Sequence, residues 1–353
     1  MASKKVKTIL KIINVVVVVG FGIFLIWYLL DKVEIGAIKQ AFLNIYKPTM
    51  VLGLTMMFFD GFLRGYRTKI LLGSERIRIL DLFFVSHIRN AFNMVLPART
   101  GELSYVYVLK RKFKFPVEIG MSTLAVALVF DLVIVFSLII ISIIIVGINR
   151  YAVSSTTVIM VAAGLLIISL LILFFLSKIV GLIIRFTTWV FSKTHWDRIK
   201  FIDYLYSKLV GINQNIKVIQ GRKIYTKVYI TSVIIRLVKF SIYYFMIHSL
   251  MKPMGYGFAE LNYWVIFLAT AAAEISAVLP THALAGLGTY EFAFVSVLTM
   301  LGFQENIAII VGFNYHIINL VFTVMVGILS IIILVMPFYK IRKISADENT
   351  DNR

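Results

Sequence analysis

Pro97-Ala98-Arg99-Thr100-Gly101-Glu102 separates two apolar segments, residues 79–96 and 103–109, neither of which makes a comfortable membrane span. A spanning helix needs about 20 predominantly apolar residues. The first segment carries His87, Arg89, Asn90 and Asn93. Proline and glycine break the helix between the two segments. The pattern predicts two half-helices meeting at a polar tip. Irregular backbone at membrane depth is tolerated only where protein buries it or a watery cavity solvates it. A second stretch repeats the plan: Leu279-Pro280-Thr281-His282-Ala283-Leu284-Ala285-Gly286-Leu287-Gly288-Thr289-Tyr290-Glu291. Both stretches contain a proline, then a glycine, and both end in Thr-x-Glu.

Hydrophobic residues make up 60% of the 353-residue chain, far more than a soluble protein of this size carries, so the fold class is all-α integral membrane. Lys and Arg number 36 against 17 Asp and Glu. That excess sits in short loops between apolar runs, which is an orientation signal and not a nucleic-acid-binding face. The absence of cysteine removes disulfides, thiolate chemistry and cysteine metal sites. The histidines show no metal-ligand spacing, and neither a phosphate loop nor a nucleophile elbow occurs. No cofactor, metal or catalytic residue is expected.

The expected layout has about six spans: residues 9–30, 49–72, 116–148, 156–176, 228–250 and 307–337. Lys4, Lys5, Lys7 and Lys11 place the N-terminus in the cytoplasm, and Lys340, Arg342 and Lys343 place the C-terminus there too. Residues 31–47 read as an outer loop with a short interfacial helix. The broken segments, about 79–109 and 261–301, become re-entrant hairpins from opposite faces, related as an inverted repeat. Making each a full crossing would flip the later loops and put the basic region 178–222 outside. Within that region Ile199, Ile202, Leu205, Leu209, Ile212, Ile216 and Ile219 recur at helical spacing, so an amphipathic cytoplasmic linker is predicted. Residues 1–344 form one membrane domain, followed by a polar tail, 345–353.

Inverted repeats in transporters meet at a midplane substrate site. Here the second half-helix of each hairpin starts near Gly101 and Tyr290, aiming free N–H groups and a positive dipole end inward, which favours an anion such as a lipid phosphate. Arg99 adds a guanidinium suited to phosphate. It reads as a site residue, because charge inside a membrane costs about 2.5–3.5 kcal/mol even on insertion scales. Thr100 and Thr289 suit N-caps, and for Glu102 and Glu291 two roles stay open, first-turn stabilisation or ligand contact. Asp131 needs a partner from another helix. Asp60 and Arg64 suit a pair on one helix face. Arg67 and Lys69 are expected to snorkel to the inner interface. Arg236, Glu274 and His282 complete the candidates.

The Pro97-x-Arg99-x-Gly101-Glu102 motif, with Leu279-Pro280 followed by Gly286-Leu287-Gly288-Thr289-Tyr290-Glu291, resembles the membrane region of lysylphosphatidylglycerol synthases, a family that includes the multiple peptide resistance factor and stand-alone flippase-like proteins. The resemblance covers about residues 9–337. It implies movement of an anionic or aminoacylated phospholipid, or a related lipid-phosphate carrier, between leaflets of the cell membrane. Family members often carry a Glu-Arg pair shortly before the third-span aspartate, where this chain has Ala127 and Leu128. The soluble lysine-transferring domain is also missing. A membrane lipid is the expected partner. Two alternatives stay open: a membrane-embedded phosphatidylglycerol lysyltransferase-like enzyme or subunit working with a separate synthase or glycosyltransferase, and a scaffold for lipid-synthesis machinery.

Overall fold

Helices form because backbone amides in lipid must be satisfied within their own segment, and Pro and Gly then set where each one starts and stops. The structure is a computed structural model and describes residues 20, 22–75, 77–96, 100–146, 155–194, 200–276, 284–336 and 339. In chain order the helices are α1 (residues 22–30), α2 (Ile35–Leu43), α3 (Lys47–Leu72), α4 (Ile79–Val95), α5 (Glu102–Phe113), α6 (Val117–Val146), α7 (Ser155–Thr194), α8 (Lys200–Gly221), α9 (Tyr225–Met251), α10 (Tyr263–Ser276), α11 (Thr289–Met300) and α12 (Glu305–Val335). Among the described residues there is no strand.

Among the described residues four helical stretches are long and apolar enough to cross a membrane: Val117–Val146, Ile159–Phe191, Tyr225–Met254 and Glu305–Val335. A fifth is reached only if α2 and α3, bent by 82°, count as one. Asp60, Arg64 and Arg67 dilute the apolar character of α3 and explain why it falls short alone. The expected span 9–30 lies mostly outside the described residues, as does the tail 345–353. The expected helix 156–176 does not stop there: α7 runs unbroken from Ser155 to Thr194. Nothing in that stretch but Gly164 and Gly181 weakens a helix, and an isolated glycine is tolerated. The basic linker therefore begins inside α7, and α8 folds back against α6 and α7.

The breaks at the two polar stretches are real breaks. The first leaves α4 and α5 at 17 and 12 residues, and the second leaves α10 and α11 at 14 and 12. At 1.5 Å per residue each is shorter than the roughly 30 Å hydrocarbon core. All four pack inside the bundle. α4 lies between α3 and α12, and α10 lies against α11, α6 and α9. Small residues allow the close approach on both sides of α4. A Cβ added at Gly65 would sit 3.1–3.2 Å from backbone atoms of Ile79, Leu82 and Phe83, and one added at Gly327 would strike the Cβ of Ala91.

Ion pairs tie elements together near the helix ends. Lys32, just after α1, sits 2.5 Å from Glu305 at the start of α12, and that hydrogen bond raises the lysine pKa. Tyr339 donates to Asp81 at 2.6 Å, joining the residues beyond α12 to the start of α4.

Gly65→Val is expected to lower the thermal midpoint of the detergent-purified protein, by the about 1–3 kcal/mol that overpacking costs. Gly164→Val, on a face of α7 with no neighbouring atoms within 4 Å, is expected to leave it unchanged. Thermal unfolding followed by intrinsic tryptophan fluorescence makes the comparison.

Candidate functional site

Asp60, Arg64 and Arg67 recur at i, i+4 and i+7 on α3, which puts all three on one face. That face points into the bundle, and all three are buried. Asp60 and Arg64 form the expected pair. Arg67 does not snorkel: it is only 2% exposed. Its Nη1 donates to Asp131 Oδ1 at 2.5 Å and to Ser232 Oγ at 3.0 Å, and its Nη2 donates to Asp131 Oδ2 at 3.3 Å. The inward face of α3 leaves no route to the interface, and a carboxylate facing it repays the burial that water would otherwise prevent. Lys69 lies off that face, more exposed, and pairs with Glu75 at 2.8 Å.

Asp131 on α6 thus finds the partner it requires, and a second one. Arg236 Nη2 on α9 contacts Asp131 Oδ2 at 2.8 Å, while Arg236 Nη1 lies 3.5 Å from Glu274 Oε2 on α10. Glu274 also pairs with Lys239 and accepts a hydrogen bond from Tyr243 Oη at 2.8 Å. One carboxylate and one guanidinium therefore chain α3, α6, α9 and α10 together.

These groups form one side of a cavity of about 160 Å³. The other side comes from the broken segments and α12. His87, Arg89, Asn90 and Asn93 reach it from α4, Glu102 from α5, Ala285 and Tyr290 from the second break, and His316, Asn319 and Thr323 from α12. The turn Leu284–Gly286 packs directly on α4, so the described parts of the two breaks meet at this cavity. Among the described residues five cations line it (Arg64, Arg67, Arg89, Arg236 and Lys239) against four carboxylates (Asp60, Glu102, Asp131 and Glu274). Ala127 and Leu128 also stand in the wall, on the same helix as Asp131.

Six lining side chains keep a buried polar atom with no hydrogen-bond partner among the described residues: Asp60 Oδ1, Arg89 Nε, Asn93 Oδ1, Glu102 Oε2, Arg236 Nε and His316 Nε2. Buried polar atoms normally find partners, and each exception calls for a reason. Arg89 and Glu102 are the clearest case. Their Nε and Oε2 are 3.6 Å apart across the first break, too far for a hydrogen bond, while Asn93 Nδ2 donates to Glu102 Oε1 at 2.7 Å.

The tips themselves differ in detail from expectation. Gly101 and Gly288, not Thr100 and Thr289, occupy the N-cap positions, without a side-chain cap. At the first tip the chain passes so close to α4 that a Cβ on Gly101 would run into the backbone of Phe92 and Asn93. At the second, Gly288 has φ 89°, a conformation that disfavours threonine. Thr289 becomes the first helical residue, its Oγ1 donating to Gly286 O at 3.2 Å. Glu291 does not line the cavity. One oxygen accepts the Gly288 N–H at 2.7 Å and the other meets His316 Nδ1 at 2.6 Å, so His316 stands between it and the cavity. Arg99 and His282 lie outside the described residues. Sequence reasoning passed over Arg89, Lys239 and His316. Arg89 and Asn93, four apart beside a helix break, were the available signal. Nothing in the sequence linked His316 to Glu291.

A family described as the lysylphosphatidylglycerol synthase TM region matches residues 12–327. Comparison with curated proteins finds no match.

Asp131→Ala leaves Arg67 and Arg236 buried without their shared carboxylate, and breaking a buried pair costs about 3–5 kcal/mol. Most of the folded protein is expected to be lost on size-exclusion chromatography after mild heating. Adding Arg67→Met to the same protein is expected to recover part of it, because one of the stranded charges is then gone.

Proposed function

The chain belongs to the lysylphosphatidylglycerol synthase transmembrane family and is a multi-pass membrane protein, and on that premise we propose that it moves an anionic or aminoacylated phospholipid, or a related lipid-phosphate carrier, between leaflets of the cell membrane. The observation that carries this reading is the cavity where the two broken segments meet. It holds one more cation than carboxylate, together with buried donors that have no partner in the described protein. A buried donor without a partner is expensive, and a phosphate oxygen is the natural complement of the Arg89 and Arg236 Nε groups.

In this proposal the broken segments are re-entrant hairpins that enter from opposite faces as an inverted repeat, as transporter sites often are. Both termini are cytoplasmic, following the distribution of lysine and arginine. Arg89 and Arg236 contact the phosphate. Glu102 receives the amine where the head group carries one. Asp131 holds Arg67 and Arg236 in place, since both of its oxygens are already engaged. Ala127 and Leu128 leave an apolar patch in the wall, so the preferred head group is expected to differ from that of relatives with a charged pair there.

The test is leaflet exposure of tail-labelled phosphatidylglycerol in proteoliposomes. Wild-type protein is expected to expose label from the inner leaflet. Arg89→Gln is expected to slow this by about 10- to 100-fold, the value of a charge-assisted hydrogen bond of about 1.5–3 kcal/mol. Unchanged rates in both Arg89→Gln and Arg99→Ala would count against transport. Product formed from lipid and an activated donor would point to the transferase alternative.

A further inference from the structure

Glu291 is fully buried, 0% exposed, and makes two hydrogen bonds, with Gly288 N–H at 2.7 Å and His316 Nδ1 at 2.6 Å. If Glu291 is ionised and His316 neutral, the carboxylate only accepts and the imidazole proton sits on Nδ1. That leaves Nε2 as a bare lone pair. His316 is 1% exposed and lines the cavity, yet Nε2 has no hydrogen-bond partner among the described residues. A helix cap alone does not explain this arrangement, because a neutral glutamine would accept the Gly288 N–H equally well. As drawn, the pair carries a negative charge that offsets the one extra cation of the cavity wall, so an entering anion leaves the buried cluster negative unless a proton enters with it. Nε2 carries a lone pair that can take a proton without breaking either hydrogen bond.

We propose that the Glu291–His316 pair is a proton-binding site that loads one proton with each head-group anion entering the cavity. The proposal rests on the transport reading above. The step is a protonation: a proton from water adds to the Nε2 lone pair, giving an imidazolium that keeps its Nδ1–H bond to the Glu291 carboxylate. The pair becomes neutral overall, and Nε2–H becomes a donor to a phosphate oxygen. Without the proton, the same atom shows a lone pair backed by a carboxylate, and it repels the anion. Anion and proton therefore favour each other's binding, and the coupling is reciprocal. A phosphodiester monoanion and one proton cross as a neutral unit, which frees the movement from the membrane potential.

Other groups share the wall with His316. From the elements packed on α12 they are His87 and Arg89 on α4, Arg236, Lys239 and Tyr243 on α9, and Tyr290 on α11. α2 also packs there but sends no charged side chain into the cavity. The arginines stay charged at ordinary pH, and Lys239 is paired with Glu274. His87 is the rival proton site. Its Nε2 lies 3.0 Å from Phe58 O, a carbonyl that only accepts, so that nitrogen already holds its proton.

Two measurements decide the proposal. In phosphatidylcholine vesicles with a trace of tail-labelled phosphatidylglycerol, a one-unit pH gradient is expected to drive label toward the alkaline leaflet, approaching about tenfold at one proton per lipid. Glu291→Gln and His316→Gln are expected to abolish this bias in whatever movement remains. In detergent, calorimetric titration with dihexanoyl-phosphatidylglycerol in buffers of different ionisation enthalpy is expected to report uptake of about one proton per lipid by wild type and none by Glu291→Gln. Wild-type movement indifferent to the gradient overturns the coupling and leaves transport standing. So does a bias lost in His87→Gln but kept in His316→Gln. Wild type that binds lipid with no proton uptake overturns the proton site even if the substituted proteins fail to fold. Wild type that neither binds nor moves the lipid overturns the transport reading and the proton site together.

Discussion

Asp131 accepts from Arg67 and Arg236 at the same time, and the rest of the interior is arranged around that shared carboxylate. Three long helices, α3, α6 and α9, are thereby held at fixed depth relative to one another. Arg236 passes the connection on to Glu274 on α10, which brings in the half-helix that leads to the second break. Removing one partner strands buried charges without their complement. This makes the network demanding, and it explains how α3 can bury three charged residues and still fold inside a membrane bundle.

Stability alone does not account for so many charges. Well-packed apolar residues often replace a buried ion pair without loss, and sometimes with gain. A bundle needing only to be stable would have leucine and valine at these positions. The nine charged side chains around the cavity instead form two populations. Asp60, Arg64, Arg67, Asp131, Lys239 and Glu274 have close charged partners and act as framework. Arg89 Nε, Glu102 Oε2 and Arg236 Nε fall short of a hydrogen bond. The first population holds the second in position, much as supporting contacts hold a binding site to sub-ångström tolerance in a rigid scaffold.

The broken segments contribute in a different way. A short helix ends or begins beside the cavity, so side chains and helix ends arrive there together. α4 delivers Arg89 and Asn93 from its last turns, and α5 delivers Glu102 from its first. α11 places Glu291 in its own first turn and hands its second oxygen to His316 on α12. The two glutamates, alike in sequence context, end in different environments: Glu102 in the cavity wall, Glu291 one layer behind it.

The sequence by itself determined the class of protein, the broken helices and their positions, and the pairing of Asp60 with Arg64. These depend on composition, on Pro and Gly, and on spacing within one helix, all local along the chain. It also showed that Asp131 must have a partner, because an isolated charge in lipid is too costly. Which partner it takes was decided only by tertiary structure, since Arg67 and Arg236 are 64 and 105 positions away and nothing local links them to α6. The same holds for Arg67 turning inward and for His316 meeting Glu291. A helix period says which residues share a face. Only the packing of that helix against its neighbours says what the face looks at.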